Sequence, residues 1–257
     1  MVVLKSESEI AAIRRSGLVV AETLAAVAGA ARPGTRLIEL DELAAGLITQ
    51  AGAKPSFLGY HPRWAPTPYP TVLCLSVNDA IVHAIPDRRP LVDGDLLSVD
   101  LAVHIDGYHA DAAVTVAVGT VDEAGQRLSG TASRALAAGI AAARPGARIG
   151  DISHAVETVA RAAGYGMPDG VGGHGVGTAM HEAPDVPNAG RPGRGMVLRE
   201  GLVIAIEPML IEGGTDDYRL SRDGWTLRTA DGSRAAHVEH TIAITADGPI
   251  VLTAGAD

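Results

Sequence analysis

Two β-forming runs, Leu96 to His104 and Tyr108 to Ala117, flank Ile105-Asp106-Gly107, and each carries one aspartate, Asp100 and Asp111, into apolar surroundings. An Asp-Gly pair between alternating β-formers signals a two-residue turn, so the runs pair antiparallel. With Asp106-Gly107 as the loop, Ile105 faces Tyr108, His104 faces His109, Val103 faces Ala110 and Ala102 faces Asp111. Asp100 lies two residues beyond Ala102, so the period of two sets both carboxylates on one face as diagonal neighbours, roughly 7 to 8 Å apart at the backbone. A slip of one residue would part them.

Two like charges on one face of an apolar ribbon resist desolvation and raise each other's pKa unless a proton or cation intervenes. On an arbitrary hairpin the pair would simply sit in solvent. Here the second half of the chain repeats the arrangement. Leu24-Ala-Ala-Val-Ala-Gly-Ala-Ala-Arg-Pro33-Gly-Thr-Arg36 resembles Leu136-Ala-Ala-Gly-Ile-Ala-Ala-Ala-Arg-Pro145-Gly-Ala-Arg148. Gly94 precedes Asp100 by six residues through an apolar run, and Gly201 precedes Glu207 by six through another. His109-Ala-Asp111 has its counterpart in His237-Val-Glu239. Each half therefore supplies two carboxylates from equivalent strands, and the expected architecture is a pseudo-two-fold α/β (α+β) fold. Helices cover one side of a strongly curved antiparallel sheet, and four carboxylates converge at the axis.

The chain has 257 residues, 47% hydrophobic and 20% charged, which suits one globular domain, 1–257, made of two halves of about 1–120 and 121–257. Aromatics are 3%, so aliphatic side chains fill the core, and Trp64, Trp225, Phe57 and the few tyrosines stand out. A formal charge of −9 argues against a broad nucleic-acid or anionic-membrane surface. The single cysteine, Cys74, excludes an internal disulfide. With no apolar leader and no run long enough to span a membrane, a cytoplasmic protein is expected.

In order, a helix is expected from Ser6, where Ser6-Glu7-Ser8-Glu9 is a capping-box pattern, to about Gly29. A second follows from about Glu39 to Gln50. Phe57 to Pro70, rich in proline and aromatics, reads as a surface loop. Strands are expected at about Thr71–Val77 and Asp79–Ala84, around a turn at Asn78. After the central hairpin come helices at about Asp122–Ala143 and Gly150–Ala163. A glycine-dense loop, Gly170 to Gly177, then leads to His181. Strands at about Leu202–Ile211, Trp225–Arg228 and Ala236–Thr245 finish the chain.

Four convergent carboxylates can hold two divalent ions with some oxygens bridging, the arrangement used in two-metal hydrolysis. His174, between glycines that permit close backbone approach, is the natural fifth ligand. One imidazole among oxygen donors suits Mn, Fe(II), Co or Zn better than Ca. Gly170-Val-Gly172-Gly-His-Gly175 also matches a dinucleotide-loop spacing, but that fingerprint requires a strand before and a helix after, and the flanking Met167-Pro168-Asp169 and Met180 to Pro184 supply neither.

The segments Cys74 to Pro86 with Asn78 and His83, Asp100, Asp111, Gly173-His174-Gly175-Val-Gly177, Met180-His181-Glu182, Ile206-Glu207-Pro208-Met209 and Val238-Glu239-His240-Thr241 together resemble a type I, bacterial-type methionine aminopeptidase. The resemblance covers nearly the whole chain. It implies the duplicated pita-bread fold, in which Asp111 and Glu239 bridge two metal ions. Asp100 completes the shell of one ion, and His174 with Glu207 that of the other. Glu207 accepts and shuttles a proton, His181 stabilises the developing oxyanion, and His83 contacts the scissile nitrogen and assists the leaving amine. The substrate implied is the N-terminal methionine of nascent peptides whose second residue is small. The further implications are a monomer, transient ribosome contact, no stable nucleic-acid partner and no membrane.

The methionine slot of that family corresponds to Tyr60, Tyr69, Cys74 and Trp225, with His61 and Phe57 nearby. Two departures bear on its width. Met180 stands where phenylalanine is common, and the loop from His61 to Tyr69, carrying Pro62, Trp64, Pro66 and Pro68, is longer than usual. His109 and His237 share a face with the bridging acids, either as donors to them or in a plain structural role. Two rivals remain: a proline-specific or broader metalloaminopeptidase of the same fold, and a non-enzymatic ribosome-associated relative.

Overall fold

A computed structural model describes residues 2–255. The chain runs through helices α1 (Glu7–Ala30) and α2 (Leu37–Gln50), strands β1 (Lys54–Pro55), β2 (Cys74–Val77), β3 (Ala80–Val82), β4 (Leu96–Ile105) and β5 (Tyr108–Ala117). Helices α3 (Glu123–Ala142) and α4 (Ile149–Ala162) follow, then β6 (Gly172–Gly175), β7 (Glu182–Pro187), β8 (Val203–Ile206) and β9 (Met209–Ile211). The last strands are β10 (Tyr218–Leu220), β11 (Leu227–Thr229), β12 (Ala235–His237), β13 (Glu239–Thr245) and β14 (Gly248–Val251). Among the described residues no helix is long and apolar enough to cross a membrane.

Nine strands form one curled antiparallel sheet whose main path is β1-β4-β5-β13-β8-β6-β7, with β2 also on β4 and β14 on β13. The β4–β5 register is the expected one: Ile105 opposite Tyr108, His104 opposite His109, Val103 opposite Ala110 and Ala102 opposite Asp111. Asp106 and Gly107 both take positive φ, 52° and 80°, the backbone a tight hairpin turn of this hand requires. Alternation then sorts the two faces. Leu97, Val99, Leu101 and Val103 pack beneath α1 and α2 with Ala110 and Ala112, leaving Asp100 and Asp111 on the opposite face.

A second core lies beneath α3 and α4, where Leu128, Ala132, Ile152 and Val156 meet Ile204, Ile206, Ile242 and Ile244. The repeat seen in the sequence has a structural image. Arg36 pairs with Pro90 just before α2, and Arg148 pairs with Val197 just before α4, both as isolated antiparallel bridges. In both places an acid three residues on, Glu39 or Asp151, accepts the arginine backbone N–H, at 2.8 and 2.7 Å. The Ser6 cap forms as expected, with Ser6 Oγ accepting from Glu9 N–H and Glu9 Oε2 accepting from Ser6 N–H.

Several expectations need correction. The glycine-dense segment is not all loop, because Gly172–Gly175 is a strand inside the main sheet. A Cβ on Gly173 would lie 2.1 Å from the Ala205 carbonyl oxygen, and one on Gly175 would lie 2.4 Å from that of Ala183. Only bare backbone fits there. The strand expected over Leu202–Ile211 breaks at Glu207-Pro208, since proline has no N–H to continue the ladder, and β9 leaves to pair with β12. The one expected over Ala236–Thr245 breaks likewise at Val238. Trp225 precedes its strand, which begins at Leu227, and strands at β1, β7, β10 and β14 were not foreseen. Phe57 to Pro70 is no plain surface loop, because Phe57, Ala65 and Tyr69 turn inward and are buried.

Candidate active site

Five neighbouring strands each deliver one ligand-type side chain to the concave face. Asp100 comes from β4, Asp111 from β5, Glu239 from the first residue of β13, Glu207 from the residue after β8, and His174 from β6. All five are buried, from 2% to 9% exposed. Where β5 meets β13 the halves are tied by Thr241 Oγ1, which accepts from Asp111 N–H at 3.0 Å and donates to the Asp111 carbonyl at 2.7 Å. On the other side Asn188 donates to the Glu207 carbonyl at 3.0 Å.

His174 Nδ1 donates to the Gly175 carbonyl at 2.9 Å, which leaves the Nε2 lone pair facing the acids. That nitrogen lies 3.5 Å from Glu207 Oε1 and 3.9 Å from Asp111 Oδ2. Among protein atoms alone this crowd of acids is unfavourable. Burial pushes the Asp111 carboxyl up to about 7, and burial with the Asp111 charge pushes Glu207 up to about 8. Asp100 and Glu239 are driven well above the usual carboxylate range by burial and then by the neighbouring acids. Buried oxygens on Asp100, Asp111 and Glu239 have no hydrogen-bond partner. Unsatisfied acceptors of this kind are costly in a dry interior, and a cation satisfies them. The donor set of carboxylate oxygens and imidazole fits divalent first-row metals.

The acids floor a cavity of about 540 Å³, and every residue expected in the site lines it: Tyr60, Tyr69, Cys74, His83, Asp100, Asp111, His174, His181, Glu207, Trp225 and Glu239. One wall is apolar and aromatic. Tyr69 meets Trp225 edge-on at 4.9 Å between ring centroids, Phe57 meets Tyr69 at 6.2 Å, and Met180 and Cys74 fill the gap between them. Cys74 sits directly opposite Asp100 in the β2–β4 ladder, so the strand that holds an acid also shapes the slot. Burial pushes its thiol well up, so it acts as a neutral small hydrophobe. The Tyr69 hydroxyl reaches the Leu73 and Ala84 carbonyls at 3.1 and 3.0 Å and clamps the start of β2 to the residue after His83.

The two other histidines also line the cavity. His83 holds φ at 58°, a left-handed conformation that costs a non-glycine residue roughly 1–2 kcal/mol. The strain turns its ring off the end of β3 and into the cavity. Burial pushes its pKa down to about 4, so the imidazole is neutral. His181 packs its ring 4.2 Å from that of His174, and its Nδ1 lies 2.9 Å from the Tyr60 hydroxyl. The residue after it, Glu182, is held by Lys5, whose Nζ lies 2.6 Å from Glu182 Oε2 with a side chain only 1% exposed.

Three contributors have no definite role in the site from sequence alone. Trp64, on the loop between His61 and Tyr69, is 57% exposed yet lines the cavity, edge-on to Trp225 at 4.9 Å and stacked 6.3 Å from His83. Lys5, the second, carries no motif, and its role depends on a partner 177 residues away. His237, left with two readings, faces the acids, whereas its counterpart His109 bonds Ser56 at 2.8 Å and packs at a tilt against His104 outside the cavity. His61 also stays outside, its Nε2 donating to the Ala65 carbonyl at 3.2 Å.

Comparison with known proteins agrees with this architecture. Residues 11–246 match the model of metallopeptidase family M24. Methionine aminopeptidase 1 of Mycobacterium tuberculosis is 48% identical over 98% of this chain and 94% of its own length. The methionine aminopeptidase of Clostridium perfringens is 41% identical over 98% and 99%. The crystal structure of methionine aminopeptidase from Thermotoga maritima superposes with a TM-score of 0.94 at 38% identity, covering 99% of this chain and 100% of that one. A prolidase from Pyrococcus horikoshii, 23% identical, superposes at 0.79 over 98% of this chain and 64% of its own, which is a likeness of fold alone. The expected pita-bread fold is thus the observed one. With the match spanning nearly all of its length, the chain belongs to metallopeptidase family M24.

Proposed function

We propose that the chain is a methionine aminopeptidase, removing N-terminal methionine from peptides whose second residue is small, with two divalent ions held by Asp100, Asp111, His174, Glu207 and Glu239. The observation that carries this reading is the convergence of those five side chains at the floor of a cavity walled by Phe57, Tyr69, Cys74, Met180 and Trp225. A methionine side chain wants a slot that is apolar and polarisable, and sulfur against aromatic edges contributes roughly 0.3–1.5 kcal/mol per contact. When bound, the ions supply Lewis acidity, activating water and polarising the scissile carbonyl.

The remaining work belongs to the chain. Glu207, at the end of β8 and beside His174, takes the proton of the attacking water and passes it towards the leaving amine. His181, steadied by Tyr60, donates a hydrogen bond to the oxygen on which negative charge develops. His83, which also lines the cavity, contacts the scissile nitrogen. Asp100 lies next to Cys74 in the ladder and therefore beside the slot, where it meets the free α-amine of the substrate.

Hydrolysis of Met-Ala-Ser by the purified protein, with and without a chelator, tests the reading. Methionine release that stops on chelation, returns with Mn(II) or Co(II), and is absent in Asp111→Asn is expected, with Met-Lys-Ser left intact. Chelator-insensitive turnover, or none with any first-row ion, refutes it.

A further inference from the structure

His237 is 2% exposed, and its Nε2 has no hydrogen-bond partner. Its position is firmly held. The backbone N–H donates to Thr115 Oγ1 at 2.9 Å and the Thr115 hydroxyl donates to the His237 carbonyl at 2.7 Å, which straps the end of β12 onto the central hairpin. The ring then faces the acids, with Nε2 3.7 Å from Glu207 Oε2 and 3.9 Å from Glu239 Oε2. These separations are too long for hydrogen bonds. They do fit two atoms that each reach a shared ion at about 2.0–2.2 Å.

The comparison with His174 is direct. His174 Nε2 stands 3.5 Å from Glu207 Oε1, and His237 Nε2 stands 3.7 Å from Glu207 Oε2, so one carboxylate presents a different oxygen to each imidazole. Two three-residue groups result, Asp111 with His174 and Glu239, and Glu207 with His237 and Glu239. In each group the ligand atoms all lie within 4.8 Å of one another, and Glu239 is common to both. From this geometry we infer that His237 is a metal ligand, binding through Nε2 the ion held between Glu207 and Glu239. The centre then has two imidazoles, where the sequence resemblance implies one. A second neutral nitrogen donor shifts the preference of that position from Mn(II) towards Co(II) and Zn(II). The inference rests on the site being the metal centre proposed above, and goes beyond it in the ligand set.

The test loads the metal-free enzyme with Co(II) alone and counts hyperfine-shifted, solvent-exchangeable imidazole N–H signals by proton NMR. Calorimetry measures the affinity for Co(II) in parallel. Two such signals are expected in the native chain, one lost in His237→Gln and the other in His174→Gln. The Co(II) affinity of one site in His237→Gln is expected to fall at least tenfold while circular dichroism shows the fold retained. A single signal in the native chain, or both signals surviving in His237→Gln, overturns the inference. Should His237→Gln fail to fold, the count in the native chain decides alone. An enzyme that releases methionine but shows one signal refutes the second imidazole and leaves the function standing. Two signals without methionine release refute the function and leave the ligand set standing.

Discussion

Removing the charge of Lys5 while keeping its stem, as in Lys5→Met, tests whether the N-terminal arm positions His181. The ammonium lies 2.6 Å from Glu182 Oε2, with side chains 1% and 15% exposed. Breaking a fully buried pair costs about 3–5 kcal/mol, and an exposed one contributes about 0–1 kcal/mol. Glu182 keeps two other donors, Ala179 N–H at 3.1 Å and Thr178 Oγ1 at 3.3 Å, so it is not orphaned. The expected loss is therefore between these limits, about 2–3 kcal/mol, or roughly 4–12 °C in Tm for a chain of this size. The end of the stem packs over Gly177, where a Cβ would collide with it, so Met keeps that contact while removing the charge. Chemical denaturation of Lys5→Met, Glu182→Gln and the double variant gives the coupling between the two groups. A coupling of at least about 1.5 kcal/mol is expected, with kcat falling about tenfold while KM changes less than about twofold, because the turn carrying His181 loosens. Additive losses, with a coupling below about 0.5 kcal/mol, would refute the reasoning.

The acid cluster makes the stability of the metal-free protein depend on pH with an unusual sign. Folding raises Asp111 to about 7 and Glu207 to about 8, so the stability tied to their protons is present at low pH and lost as pH rises through those values. The neutral His83 and His237, held down to about 4 and about 3 by burial, act oppositely but only below pH 6.5. Between pH 6.5 and 8 the chelated protein should therefore lose up to about 1.4 kcal/mol per pH unit for each proton retained, and Mn(II) should raise Tm more at pH 8 than at 6.5. Calorimetric melts showing a flat profile and an equal metal shift would contradict this. Gly173→Ala should push β6 off β8 and cost more than about 3 kcal/mol, with metal affinity lost alongside because His174 is the next residue, as melts and Co(II) titration would register. Trp64→Ala removes an aromatic wall worth about 0.5–1.5 kcal/mol, so KM for Met-Ala-Ser should rise about 2- to 10-fold with kcat nearly unchanged in steady-state assays. A KM equal to that of the native chain would assign Trp64 no part in binding.

The residues most legible in sequence are those fixed by local rules. Alternation and the Asp106-Gly107 turn determine which residue of β4 opposes which of β5, and so bring Asp100 and Asp111 to one face without reference to anything distant. The Ser6 cap is equally local. Gly172–Gly175 is not legible as a strand because glycine is a poor strand former on its own, and its ladder partners, β7 and β8, come from elsewhere in the chain. Long-range contacts also decide Lys5, which looks like any solvent-seeking lysine until Glu182 is folded beside it. The prolines of the His61 to Tyr69 loop spoke for exposure, but the Trp225 indole donates to the Thr67 carbonyl at 3.2 Å and draws that loop inward. His109 and His237 are equivalent in the repeat, and what separates them is that β12 has left the sheet whereas β5 has not.

Glu207 follows β8 directly and Glu239 begins β13, so at both acids the chain crosses from the broad sheet to small ribbons and connecting segments. The chemical floor is thus built where the broad sheet gives way, while the His61 to Tyr69 part of its rim carries none of the carboxylates. Exchanged segments between His61 and Tyr69 can reshape what enters while the carboxylates keep their spacing. One reaction centre can in this way serve a succession of differently tailored entrances.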